Sequence, residues 1–340
     1  MFSTFSTLSS NLVNFVKVIA GPQPLTTLTG YTITNAGIFK FGSVSRDSCI
    51  SCSDDGKYVL VSANYETTTS RRILLSADSG QSFTRIDGTS NLPGGVQYYS
   101  HSLSNMGQYQ YLVCATGGTV YYSSDYGSTW TAGLANAGIT VITCDGTGQY
   151  VLVNYTTGIA YSTNYGVSWT TSSIYAGCVA VHISNNGNYW VFGQNNNANG
   201  IYMSTDFGST WNVIKSVSES LATIQVTDSG TVYSTITSTS ATSLSYYNGS
   251  TWSNIKSLNT GAQVSINKTG QIIFVSTNRA TSSQPVYSLD GGVNFTNLQG
   301  GNANLSHNSA VSSIGNCFYM VVNITGATTG AVYRSHGPFP

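Results

Sequence analysis

Short apolar runs separated by clusters of Gly, Asn, Asp, Ser and Thr make up most of this chain. Ile50 and Cys52, Ile142 and Cys144, Val181 and Ile183, Ile224 and Val226, and Val264 and Ile266 lie six and four places before a glycine. The glycines themselves close polar turns. Ser53-Asp54-Asp55-Gly56-Lys57-Tyr58, Ser104-Asn105-Met106-Gly107-Gln108-Tyr109, Asp145-Gly146-Thr147-Gly148-Gln149-Tyr150 and Ser184-Asn185-Asn186-Gly187-Asn188-Tyr189 are the clear copies, with fainter ones around Gly230, Gly270 and Gly315. Alternation of period two on both sides of a tight turn predicts strand, hairpin, strand in every unit. The N-terminus follows another rhythm: Phe2, Phe5, Leu8, Leu12, Phe15 and Ile19 share one face at helical spacing and Gly21-Pro22 stops the pattern, so residues 2–20 are expected to form one amphipathic helix. Asn11, Asn14 and Lys17 interrupt the apolar stretch a signal peptide would need. This gives an N-terminal arm over residues 1–24, packed on its own domain or docked on a partner, and a β domain over residues 25–340.

A second motif keeps step with the first. Ser76-x-Asp78-x-Gly80-x-Ser82-Phe83 is followed by Ser123-x-Asp125-x-Gly127-x-Thr129-Trp130, Ser162-x-Asn164-x-Gly166-x-Ser168-Trp169 and Ser204-x-Asp206-x-Gly208-x-Thr210-Trp211. Ser245-x-Tyr247-x-Gly249-x-Thr251-Trp252 has lost the acid, Ser288-x-Asp290-x-Gly292-x-Asn294-Phe295 retains it, and Ser335-His336-Gly337 is a stump. From Gly80 to Gly127, Gly166, Gly208, Gly249 and Gly292 the steps are 47, 39, 42, 41 and 43 residues, the period of a propeller blade. Seven glycine turns and seven boxes predict an all-β, seven-bladed propeller of four-stranded antiparallel blades, closed by an N-terminal strand from residues 25–35, where Tyr31-Thr32-Ile33-Thr34 alternates as a strand should.

Within the box, the carboxylate can accept backbone N–H groups of its own turn and the glycine allows a positive φ. The aromatic that follows starts a strand and can be buried against its neighbours. A catalytic acid has no reason to recur in every repeat, so Ser76, Asp78, Gly80, Ser123, Asp125, Gly127, Trp130, Ser162, Asn164, Gly166, Trp169, Ser204, Asp206, Gly208, Trp211, Ser288, Asp290 and Gly292 are read as structural. These segments resemble the Asp-box, or BNR repeat, of sialidases, sortilin-type receptors, xyloglucan-cleaving glycosidases and photosystem-assembly factors, over residues 40–337. The resemblance implies the propeller and leaves function open, because those families do different things.

Charged residues are 7% of the chain and balance to zero, which leaves no basic footprint for nucleic acid, and no apolar run is long enough for a membrane span. Cys49, Cys52, Cys114, Cys144, Cys178 and Cys317 fall mostly in predicted strands and read as small apolar residues. His101, His182, His307 and His336 are scattered, Cys49-x-x-Cys52 has no second pair, and no metal or cofactor is expected.

A sialidase, the enzyme the resemblance suggests, would bring three arginines from different blades to the substrate carboxylate, with a Tyr and Glu pair as nucleophile and an Asp as acid or base. The arginines here are Arg46, Arg71, Arg72, Arg85, Arg279 and Arg334, none of them in the middle blades, and the glutamates are Glu66 and Glu219. No catalytic residue is therefore assigned. The sequence points to a non-enzymatic propeller for binding or assembly, a virion or surface component recognising a protein or a glycan, with a sialidase-like glycosidase as the alternative. Irregular loops at residues 65–72, 193–200, 238–243 and 279–284 are the expected carriers of specificity.

Overall fold

The computed structural model describes residues 14–17, 49–64, 71–89, 91–173, 177–195, 200–216, 220–237, 242–258, 262–276, 285–297, 306–312, 317–323 and 330–336. Six blades, spanning residues 49–85, 98–135, 142–172, 178–216, 220–258 and 263–297, are each built from four consecutive antiparallel strands. A further four-stranded sheet is a composite: Ser306–Val311, Cys317–Asn323 and Gly330–His336 are completed by Asn14–Lys17 from the other end of the chain. Innermost strands touch in sequence around an axis, and Ser306–Val311 lies between those of the sixth and first blades.

The expectation of seven repeated blades is thereby corrected to six. The unit after Asn297 supplies only three strands of its own and takes its outer edge from elsewhere, so counting glycine turns overstated the number of complete repeats. The strand that pairs with Gly330–His336 is also not the one expected; residues 25–35 lie outside the described residues. Asn14–Lys17 is extended, which overturns the helix expected there: pairing with an open sheet edge satisfies backbone groups that local helical periodicity cannot. The rest of residues 2–20 lies outside the described residues.

Burial follows the period-two pattern. Ile50, Ile142, Val181, Ile224 and Val264 are buried between blades, with second-strand residues such as Val59, Val61, Val151, Val153, Trp190 and Phe192. Tyrosines at the turns reach across blade borders. Tyr58, Tyr109 and Tyr150 stack on Tyr126, Tyr165 and Phe207 of the next blade, with ring centroids 5.0, 4.4 and 4.9 Å apart. The same side chains lie against Gly107, Gly148 and Gly187, where an added Cβ would come within 2.5, 2.6 and 2.9 Å of them.

The glycine turns also hydrogen-bond to one another around the axis. Asp54 N–H donates to the Asn105 carbonyl, Asn105 N–H to Gly146 and Gly146 N–H to Asn185, each at 2.8 Å. Asp228 N–H donates to Lys268 at 2.9 Å, and between the fourth and fifth blades Asn186 N–H donates to Asp228 Oδ1 at 2.7 Å. Gly146 permits the close approach, since a Cβ would lie 2.4 Å from Asn185 Oδ1 and 2.7 Å from its carbonyl oxygen. Gly146→Ala is expected to open this belt and lower stability by about 1–3 kcal/mol; an unchanged urea midpoint would show that the belt carries no load.

Candidate functional site: the axial channel

The innermost strands enclose two chambers. A narrow one of about 210 Å³ lies among the hairpin turns, bordered by Asp54, Asn105, Gly146, Asn185 and Lys268. A wide one of about 570 Å³, within the range of small-molecule pockets, continues towards the opposite face. One residue of each innermost strand borders both: Ile50, Ser102, Thr143, His182, Gln225, Ser265 and Ser309. Among the described residues the wall of the wide chamber contains no Asp, Glu, Lys or Arg.

The sequence carries an unread signal for this waist. Ser102, Thr143, His182, Gln225 and Ser265 lie five places before their turn glycines and all are polar and uncharged; in the first blade that place is Ser51, on the narrow side, and Ile50 stands at the waist. Period-two geometry turns them away from the face that buries Ile142 or Val181. Several then link neighbouring blades. Ser51 Oγ and His101 Nδ1 are 2.6 Å apart; Ser102 Oγ accepts Cys144 N–H at 3.1 Å; His182 Nδ1 accepts Val226 N–H at 3.1 Å; Ser265 Oγ donates to the Ser309 carbonyl at 2.7 Å.

These bonds fix both imidazoles as neutral tautomers. His101 Nε2 faces the Cys49 carbonyl at 3.2 Å and must be the donor there, which leaves Nδ1 to accept from Ser51. His182 Nδ1 is the acceptor, so its proton sits on Nε2. Burial pushes both groups down to about 4, against a small opposing effect of the Cys49 carbonyl on His101.

Four innermost strands shift register at the wide-chamber end, between Tyr98 and His101, Cys178 and Ala180, Leu221 and Thr223, and Ser306 and Asn308. Tyr99, Ser100, Val179 and Ala222, the displaced residues of the first three, border the chamber. Bulges of this kind re-aim side chains beside functional sites.

The box residues lie elsewhere, in the hairpins between the third and fourth strands. In the second blade Ser123 Oγ donates to Asp125 Oδ1 at 2.8 Å and accepts Gly127 N–H at 2.9 Å, while Asp125 accepts Thr129 N–H at 2.8 Å and its hydroxyl at 2.6 Å. Ser76–Asp78–Gly80, Ser204–Asp206–Gly208 and Ser288–Asp290–Gly292 repeat the arrangement. Asn164 keeps it by accepting Ser168 N–H through Oδ1 and turning its amide on Ser168 Oγ, both at 2.9 Å. Against burial, which by itself would raise Asp125, hydrogen bonds from Thr129 hold it below the usual carboxylate range; those from Thr210 do the same for Asp206, and those from Asn294 and Ser288 take Asp290 down to about 2. In the fifth copy the acceptor moves one place: Asn248 Oδ1 takes the N–H groups of Ser250 and Thr251 at 3.0 and 2.9 Å. Box tryptophans are buried unequally. Trp130 is enclosed, whereas Trp169, Trp211 and Trp252 are half-buried.

Asp145, beside the narrow chamber, has its carboxyl pushed up by burial, yet it spends its acceptors on Thr147 and Tyr150 of its own turn. Arg85 forms a two-pronged pair with Asp87 at 2.8 and 2.7 Å, and Arg72 approaches the same carboxylate at 3.5 Å. Neither arginine borders the channel. No group of three or more His, Cys, Asp or Glu side chains suited to a metal occurs among the described residues, and Cys49, Cys52, Cys114, Cys144 and Cys178 form no disulfide. The loops at 65–72, 193–200, 238–243 and 279–284 lie largely outside the described residues. No helix among the described residues is long and apolar enough to cross a membrane.

No family model matches the chain, and no curated protein matches it. Solved structures do. A YCF48 structure described as bound to D1 peptide is 12% identical, with a TM-score of 0.62 over 88% of this chain and 95% of that one. Hydrazine synthase of Kuenenia stuttgartiensis is 11% identical, with a TM-score of 0.61 over 85% and 95% of the two chains. The β-propeller domain of Myceliophteria thermophila Cps50 (Swd1) is 10% identical, with a TM-score of 0.59 over 87% and 98%. At such identities the likeness shows the fold, and the chain is a β-propeller.

Proposed function

We propose that the protein is a non-enzymatic binding and assembly module that receives a protein partner at the wide chamber of its channel. The observation that carries this reading is that the register shifts of the innermost strands fall at that chamber: Tyr99, Ser100, Val179 and Ala222 are displaced there and border the cavity, while the turns at the other end are tied from blade to blade by hydrogen bonds. A neutral wall offers hydrogen bonds without the paired carboxylates that glycoside hydrolysis demands. A similar propeller with bound peptide supports the same choice of ligand. Crosslinking in the native setting should recover a stoichiometric protein neighbour, lost when Ala222→Trp fills the chamber at unchanged melting temperature. Turnover of a fluorogenic sialoside, or a neighbour indifferent to Ala222→Trp, would overturn the proposal.

The uncharged Ser-, Thr- and Asn-rich composition favours a virion or surface layer as the setting, which immunolabelling of intact particles or cells tests. The arm over residues 1–24 then serves the propeller over 25–340 through Asn14–Lys17, which completes its composite sheet. The box residues serve the hairpins in this reading. Asp125→Ala is expected to cost about 1–3 kcal/mol and leave partner binding intact. Lost binding at unchanged stability would reassign the acid to the interface.

A further inference from the structure

Three successive blades present side chains at the channel waist whose hydrogen-bonding capacity is unspent. Among the described residues, the Thr143 hydroxyl and the Gln225 carboxamide have no side-chain hydrogen bond, and His182 uses only Nδ1. Their counterparts Ser102 and Ser265 are engaged with the neighbouring blade. His182 thus offers a fixed donor, Nε2–H, Gln225 a donor and an acceptor, and Thr143 a rotatable hydroxyl. Each class of occupant meets this arc differently. A hydrocarbon group would leave the three polar groups dry and unpaired. A carboxylate or ammonium entering from the wide chamber would find no counter-charge on that wall, the charges of Asp54, Asp145 and Lys268 lying on the narrow side, and would lose its hydration. A neutral group with both a carbonyl and an N–H satisfies the arc. Tyr99 is the one aromatic residue on the described wall, which gives a sugar ring little to stack on.

We propose that Thr143, His182 and Gln225 form a subsite for a carboxamide, either a peptide bond or an Asn or Gln side chain, on an extended uncharged segment of the partner; this rests on the channel reading above. The carbonyl accepts from His182 Nε2–H, and the amide pairs with Gln225.

The test uses the full chain and two blocked peptides, acetyl-Gly-Asn-Gly-Gln-Gly-Asn-Gly-amide and its Asp/Glu counterpart, with a neutral maltose oligomer as a third probe, measured by calorimetry. The amide peptide should bind, and the acidic peptide and the oligomer should bind at least about 10-fold more weakly. Gln225→Leu and Thr143→Val alter side chains with no partner in the described fold, and each should weaken the amide peptide about 10- to 100-fold. His182→Phe should do the same with a lower melting temperature, because Val226 N–H loses its acceptor. Wild-type affinity in both Gln225→Leu and Thr143→Val, or preference for the acidic peptide or the oligomer, would sink the subsite. If Ala222→Trp abolishes binding in that case, the channel reading survives without it; binding unaffected by Ala222→Trp, or no binding at about 1 mM, would remove both.

Discussion

Acidification from pH 6.5 towards 4 is expected to destabilise this protein before its box carboxylates titrate. His101 and His182 fall from 6.5 unfolded to about 4 folded. The unfolded chain therefore binds more protons across that window, and stability drops as pH falls through it. At about 1.4 kcal/mol per pH unit the loss is about 3 kcal/mol for His101, and less for His182, whose ring borders the channel. Asp78, Asp125, Asp206 and Asp290 are all held below 3.8, so what they contribute persists through the window and is lost only in stronger acid. Asp145 acts with the opposite sign, since burial raises its carboxyl and protonation relieves a cost. Urea midpoints at neutral pH and about pH 4.5 should differ clearly in the wild type and much less in His101→Gln. A flat wild-type profile would mean that the buried imidazoles take up protons without strain.

Trp190→Ala should be the most damaging single truncation, at about 3–5 kcal/mol. Trp190 has no exposed surface and donates Nε1–H to the Gly187 carbonyl at 2.8 Å. Its ring meets Tyr150 and Tyr161 of the preceding blade at 5.6 and 5.5 Å and lies against Gly208. Removal empties a blade interface and leaves a buried carbonyl without its donor. Trp211→Ala, in the box of the same blade, should cost distinctly less because that ring is half-buried. Equal losses in the two variants, read as urea midpoints at constant slope, would show that Trp190 is no more central than the box aromatic.

That contrast shows where the sequence was readable. The box announces itself by repetition, so Trp130, Trp169 and Trp211 draw notice together, yet only Trp130 is enclosed. Trp190 occurs once, at a strand position where other blades place Val59, Gln110 or Val151, and no repetition marks it. Asn248 escaped notice for a related reason: the turn needs an acceptor oxygen, and one residue further along serves as well. The polar positions five places before the glycines were legible in principle, but the apolar pair around them dominates the pattern.

Local rules are enough for the all-β class, the hairpins and the forty-residue rhythm, because turn glycines, side-chain acceptors and period-two burial act within a few residues of themselves. The number of complete blades, the partner of Gly330–His336 and the meeting of Thr143, His182 and Gln225 at one level of the channel are not local quantities. Each depends on how distant strands close around a common axis, where a backbone edge takes whichever partner reaches it and side chains from separate repeats come to share one cavity.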